Sequence, residues 1–106
     1  VKKMTIVTIE NWPGREYEIL GTVKGSVVYS KNFGKDFMSA MKSLVGGEVK
    51  DYTEMLIEAR QIATGRMAHE AEELGADAVL GLRYASASVM QSAAEVMAYG
   101  TAVKWK

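Results

Sequence analysis

The chain has 106 residues, with 13 Lys and Arg against 13 Asp and Glu and a formal net charge of zero. The length bounds it to one domain, 1–106, and the balanced charge speaks against a general nucleic-acid binder or a polybasic membrane-surface protein, both of which need a field of one sign. With no cysteine, disulfides and thiolate metal sites are excluded; no apolar run approaches the roughly 20 residues of a membrane helix, and no signal-peptide pattern opens the chain. The expectation is a soluble cytoplasmic protein that contacts neither nucleic acid nor membrane, and whose low net charge does little to oppose self-association.

Met4–Ile9 (MTIVTI) is rich in β-branched residues and reads as a strand. Asn11–Arg15 (NWPGR) carries a Pro-Gly turn signal, and Tyr17–Tyr29 follows as a second strand, so a hairpin is expected. Gly21 and Gly25 within that strand suggest a bulge or a close backbone contact. Phe37, Met41, Leu44 and Val45 share a helical face, which predicts a short helix over Lys35–Val45 stopped by Gly46-Gly47.

The longest periodic run is Asp51–Leu74. Tyr52, Leu56, Ala59, Ala63, Met67, Ala71 and Leu74 recur three or four apart and predict an amphipathic helix about 36 Å long at ~1.5 Å per residue. Asp51 and Glu54 have capping-box spacing, and Gly75 stands where a left-handed residue would close the helix. Gly65 inside it is expected to serve close packing or a slight bend. After Gly75 the period shortens: Ala76–Ala87 and Glu95–Trp105 read as strands, with the turn inside Ser88–Ala94. In the last strand Val96, Ala98, Gly100, Ala102 and Lys104 share one side. Met97, Tyr99, Thr101, Val103 and Trp105 share the other.

The expected order is β-β-α-α-β-β, an α+β fold in which one antiparallel sheet carries helices on one face. Neither face of the last strand is polar, which points to pairing of the sheet or its edges with another copy.

Asn32-Phe33-Gly34-Lys35-Asp36-Phe37, Leu44-Val45-Gly46-Gly47, Tyr52, Leu56, Ala59-Arg60, Ile62-Ala63, Ala71, Leu74-Gly75-Ala76-Asp77-Ala78-Val79, Gly81 and Gly100-Thr101-Ala102-Val103 together resemble the YbjQ-like family. The resemblance covers nearly the whole chain. It implies a small bacterial protein with a dodecin-like subunit assembling into a homopentameric ring, a heavy-metal-binding label, and no catalytic residue set. Relatives place alternating acids where this chain has Arg83, Tyr84, Ala85, Ser86 and Ala87; any cation those acids hold is lost here.

The metal candidate drawn from the residues is His69 with Glu72 and Glu73, at i+3 and i+4, with copies from neighbouring subunits completing the ligand set. An exposed histidine beside solvated carboxylates is the simpler account. The methionines, at helical spacing, read as core filler. Arg60 is a structural ion-pair candidate toward Asp36, Glu58 or a neighbouring copy, or else faces an anionic ligand. Trp12 and Trp105, expected to be exposed, suit a subunit interface or a stacked flat ligand. No nucleophile, phosphate loop or triad is present in the pattern, so no enzyme is expected. The alternatives kept are a dodecin-type binder of a flat aromatic molecule and an enzyme with its site between subunits.

Overall fold

The computed structural model describes residues 4–29, 50–90 and 93–106, with side chains over 4–28, 56–87 and 95–106. The helix expected at Lys35–Val45, the Gly46-Gly47 stop and Asp36 lie outside those residues. The described elements are β1 (Thr5–Ile6), β2 (Tyr17–Tyr29), α1 (Lys50–Glu73), β3 (Ala78–Met90) and β4 (Ala93–Trp105).

Helix α1 forms where the apolar spacing places it. Ala59, Ala63, Met67 and Ala71 are buried along one face. Its C-terminus is closed by a Schellman motif: Gly75, at φ +81°, donates its amide to the Glu72 carbonyl at 2.9 Å, and Ala76 donates to Ala71 at 3.0 Å. Ala76 is buried in the same core as Ala71, the apolar contact that accompanies this cap. Three expectations on this helix are corrected. Leu74 is 48% exposed, because the helix ends at Glu73 and the capping turn carries Leu74 off the buried face. Leu56 is only half-buried. Gly65 serves no close packing, since a Cβ there would meet nothing within 4 Å.

The four strands make one sheet in the order β1-β3-β4-β2. β3 and β4 pair antiparallel as a hairpin, and β2 lies antiparallel on the far side of β4. β1 runs parallel to β3, with Thr5 opposite Ala78 and Ile6 opposite Val79. The sheet is therefore mixed, not wholly antiparallel, and the expected hairpin between the first two strands is absent: β1 and β2 sit on opposite edges. The Pro13-Gly14 turn changes the chain's direction, but Trp12 packs against Trp105 and Tyr17 begins β2 opposite Trp105. Burial of those rings at the end of β4 decides where β2 goes.

Hydrogen bonds from Val7 to Val79 (3.0 Å), Gly81 to Ile9 (2.7 Å) and Leu82 to Val7 (3.0 Å) extend the β1 pairing to a register shift between Leu80 and Arg83.

The core lies mainly between α1 and the sheet, where Val23, Val79, Ala98 and Ala102 meet Ala63, Met67 and Ala71. Alanines on the helix and Gly25 on β2 let the two layers approach closely. A Cβ at Gly25 would fall on the Ala63 carbonyl oxygen and the Met67 amide nitrogen. A second bulge, between Ile19 and Gly21, accounts for the other glycine of that strand. The opposite face is not wholly open, contrary to expectation. At one end Ala78, Leu80 and Val103 are buried, with Val7, Trp12, Tyr17 and Trp105 packed against them.

Candidate functional site

His69 and Glu73 lie one helical turn apart near the end of α1, with Nε2 and Oε1 2.9 Å apart. Their side chains are 72% and 67% exposed. Glu72 is exposed on the same turn. Two solvated ligands from one helix fall short of the three or four that hold a transition metal. Among the described residues no group of three His, Cys, Asp or Glu could hold an ion. The described donors of a single subunit do not fit a resident heavy metal.

Arg60 is half-buried, and its carbonyl accepts the Thr64 hydroxyl at 2.7 Å. Among the described residues the ion pairs are His69–Glu73 and Arg83–Glu10, and Arg60 belongs to neither. Thr64 also meets the Tyr84 hydroxyl at 2.8 Å, tying the helix to β3.

Trp12 and Trp105 are half-buried, not exposed, and they meet each other within the chain. Their ring centroids lie 5.4 Å apart at 62°, and Tyr17 approaches Trp105 edge-on at 6.2 Å. Arg15 places its guanidinium carbon 4.3 Å from the Trp105 centroid, a cation–π contact that covers the ring. The Trp105 amide is fixed by Asp77 Oδ2 at 2.8 Å. This cluster stabilises the end of the sheet, and a flat ligand would stack on Trp105 only after Arg15 moved aside.

Two strand edges present unpaired backbone groups among the described residues. Lys106 donates its amide to the Glu16 carbonyl and Asp77 donates to Val103. Even-numbered residues of β4 therefore turn their backbone groups to β2, and odd-numbered ones to β3. From the register, the N–H and C=O groups of Thr22, Lys24, Ser26 and Val28 on β2, and of Tyr84 and Ser86 on β3, point away from the sheet. Side chains from Arg83 to Ala87 are exposed on both faces of the sheet. Among the described residues β3 is thus sealed by β1 over its first half and unpaired on that side over its second. Arg83 marks the boundary: Nη1 donates to the Thr8 carbonyl at 3.0 Å, and Nη2 lies 3.4 Å from Glu10 Oε1. Sequence patterning pointed to the sheet or its edges in general, but neither to the half of β3 concerned nor to Arg83 at its boundary, because both arise from which strands pair.

A family model described as "Putative heavy-metal-binding" matches residues 4–106. A UPF0145 protein of Fervidobacterium nodosum is 62% identical over 102 residues, 95% of this chain and 94% of that one. Those of Clostridium novyi and Thermus thermophilus are 57% identical over 101 residues and 56% over 105, covering 95% and 98% of this chain and 98% and 92% of theirs. A crystal structure from Pediococcus pentosaceus, described as a DUF74 family protein of unknown function, superposes with a TM-score of 0.67. It is 20% identical and the match covers 97% of this chain and 98% of that one, a likeness of fold.

Proposed function

This chain belongs to the YbjQ-like, UPF0145 family, and from that premise we propose that it works as a homo-oligomeric ring of dodecin-like subunits, five being the count the family resemblance implies. The observation that carries the reading is the half-edge of β3 left unpaired among the described residues. Tyr84 and Ser86 turn backbone groups outward there, exposed on both faces and flanked by the small side chains of Ala85 and Ala87. Such an edge is a template for a strand from another chain. Exposed apolar side chains support the same reading, Ile19 at 66% among them, and the chain has no net charge to keep copies apart.

A metal ion or small ligand would then be bound between copies, where symmetry multiplies the two donors His69 and Glu73 into a larger set. The reading carries no catalytic step. Among the described residues no helix is long and apolar enough to cross a membrane.

Light scattering at micromolar concentration should give a mass several times 11.6 kDa. Ser86→Pro should reduce it to the monomer, because proline removes an outward N–H and costs no bond of the β3–β4 ladder. A monomeric wild type refutes the assembly; an unchanged mass in Ser86→Pro refutes this edge as its seat.

A further inference from the structure

The two free edges differ in a way that bears on how many neighbours a copy can accept. Along β3 the outward groups of Tyr84 and Ser86 carry no side-chain partner among the described residues. Along β2 the outward row is interrupted three times. The register shift between Ile19 and Gly21 breaks its spacing. Lys24 stands on it as an exposed residue. Arg66, reaching over from α1, donates Nη1 to the Ser26 carbonyl at 2.5 Å. Bulges, lysines and blocked carbonyls are the means by which edge strands are kept from pairing with other chains.

We propose that Arg66 is an edge guard: by holding the outward carbonyl of Ser26 it closes β2 to strand addition by a second copy. This rests on the self-assembly reading and adds to it the exclusion of one edge. The guard is placed by Gly25. Without a side chain there, the Ala63–Met67 turn of the helix seats directly on β2, which brings Arg66 within reach of the next residue's carbonyl. The bond comes from a charged donor, so an incoming neutral amide would replace a stronger interaction with a weaker one. The guard also has a reason to exist. With two equivalent open edges, copies of a chain with zero net charge could also add edge to edge in arrangements whose rotation does not close a ring.

Arg66→Ala is compared with wild type by light scattering and by hydrogen exchange at the outward amides of Lys24, Ser26 and Val28. Loss of the guard should broaden the mass distribution and raise the mean mass at least about two-fold. Those amides should gain protection of about ten-fold or more as β2 acquires a partner. The variant lowers the net charge from zero to minus one, which opposes association, so the gain cannot come from lost repulsion. Arg66→Lys, which keeps a charged donor, should restore the wild-type distribution. If the alanine variant does not fold, Arg66→Met keeps the aliphatic stem on the helix and removes the donor.

A folded variant with the wild-type mass distribution and unprotected β2 amides overturns the guard, whatever the wild type's own state. A monomeric wild type whose Arg66→Ala variant associates through β2 sinks the ring reading and leaves the guard standing.

Discussion

Gly25→Ala measures how tightly helix and sheet are joined. An added Cβ would stand 2.7 Å from Arg66 Cβ, and it would also strike the Ala63 carbonyl oxygen and the Met67 amide nitrogen. Carbon atoms in contact prefer about 3.5–4.0 Å. Neither backbone atom can rotate away, so the helix must lift from β2 by about an ångström. That loosens the fully buried contacts of Val23, Ala63 and Met67 together. Overpacking of this kind costs about 1–3 kcal/mol and occasionally more. The stiffer unfolded chain of the alanine variant returns about 0.4–1 kcal/mol. A net loss of about 1.3 kcal/mol follows, which lowers the urea midpoint by about 0.6 M at the slope of a small domain. Wild type and variant are compared at one protomer concentration, because assembly contributes to apparent stability. Gly65→Ala is the matched control. It is the same chemical change, made where a Cβ meets nothing within 4 Å, and it should stabilise by about 0.5–1 kcal/mol. A Gly25→Ala midpoint equal to wild type would refute the close approach.

Met67→Ala, at a fully buried position, should cost about 2–5 kcal/mol by thermal or urea unfolding, while Leu74→Ala should cost less than about 1 kcal/mol. Equal losses would return Leu74 to the core. His69→Ala should change stability by no more than about 0.5 kcal/mol, since its partner Glu73 is largely solvated. In calorimetric titrations with Zn(II), Cu(I) and Ni(II), binding tighter than millimolar should occur in the assembled wild type and vanish in His69→Ala. Identical binding by both proteins removes His69 from any metal role.

The helix was legible because its signal is local. Ala59, Ala63, Met67 and Ala71 repeat at the helical period, and Gly75 closes the helix with the left-handed conformation that its place in the sequence suggested. The two faces of β4 were legible for the same reason. Pairing was not. The parallel union of Thr5 with Ala78 joins segments far apart in the chain, and no local pattern encodes it. A Pro-Gly turn after a β-branched run is indistinguishable by composition from a hairpin turn, and only burial of Trp12 beside Trp105 sends β2 to the far edge. Site features followed the same division. His69–Glu73 was visible as i, i+4 spacing, whereas Arg66 on Ser26 and Thr64 with Tyr84 join residues that only the packed fold brings together.

The strand order also governs when this protein can fold during synthesis. β1 and β2 leave the ribosome before β3 and β4, yet neither pairs with the other; each docks on a different side of the β3–β4 hairpin. Until β3 has emerged Met4–Ile9 has no strand partner, and Tyr17–Tyr29 has none until β4 follows, so both travel as exposed, association-prone strands. Among the described elements, α1, whose hydrogen bonds are local, can form beforehand. The nascent chain therefore meets its greatest hazard before completion, and chaperone engagement should concentrate on its N-terminal third.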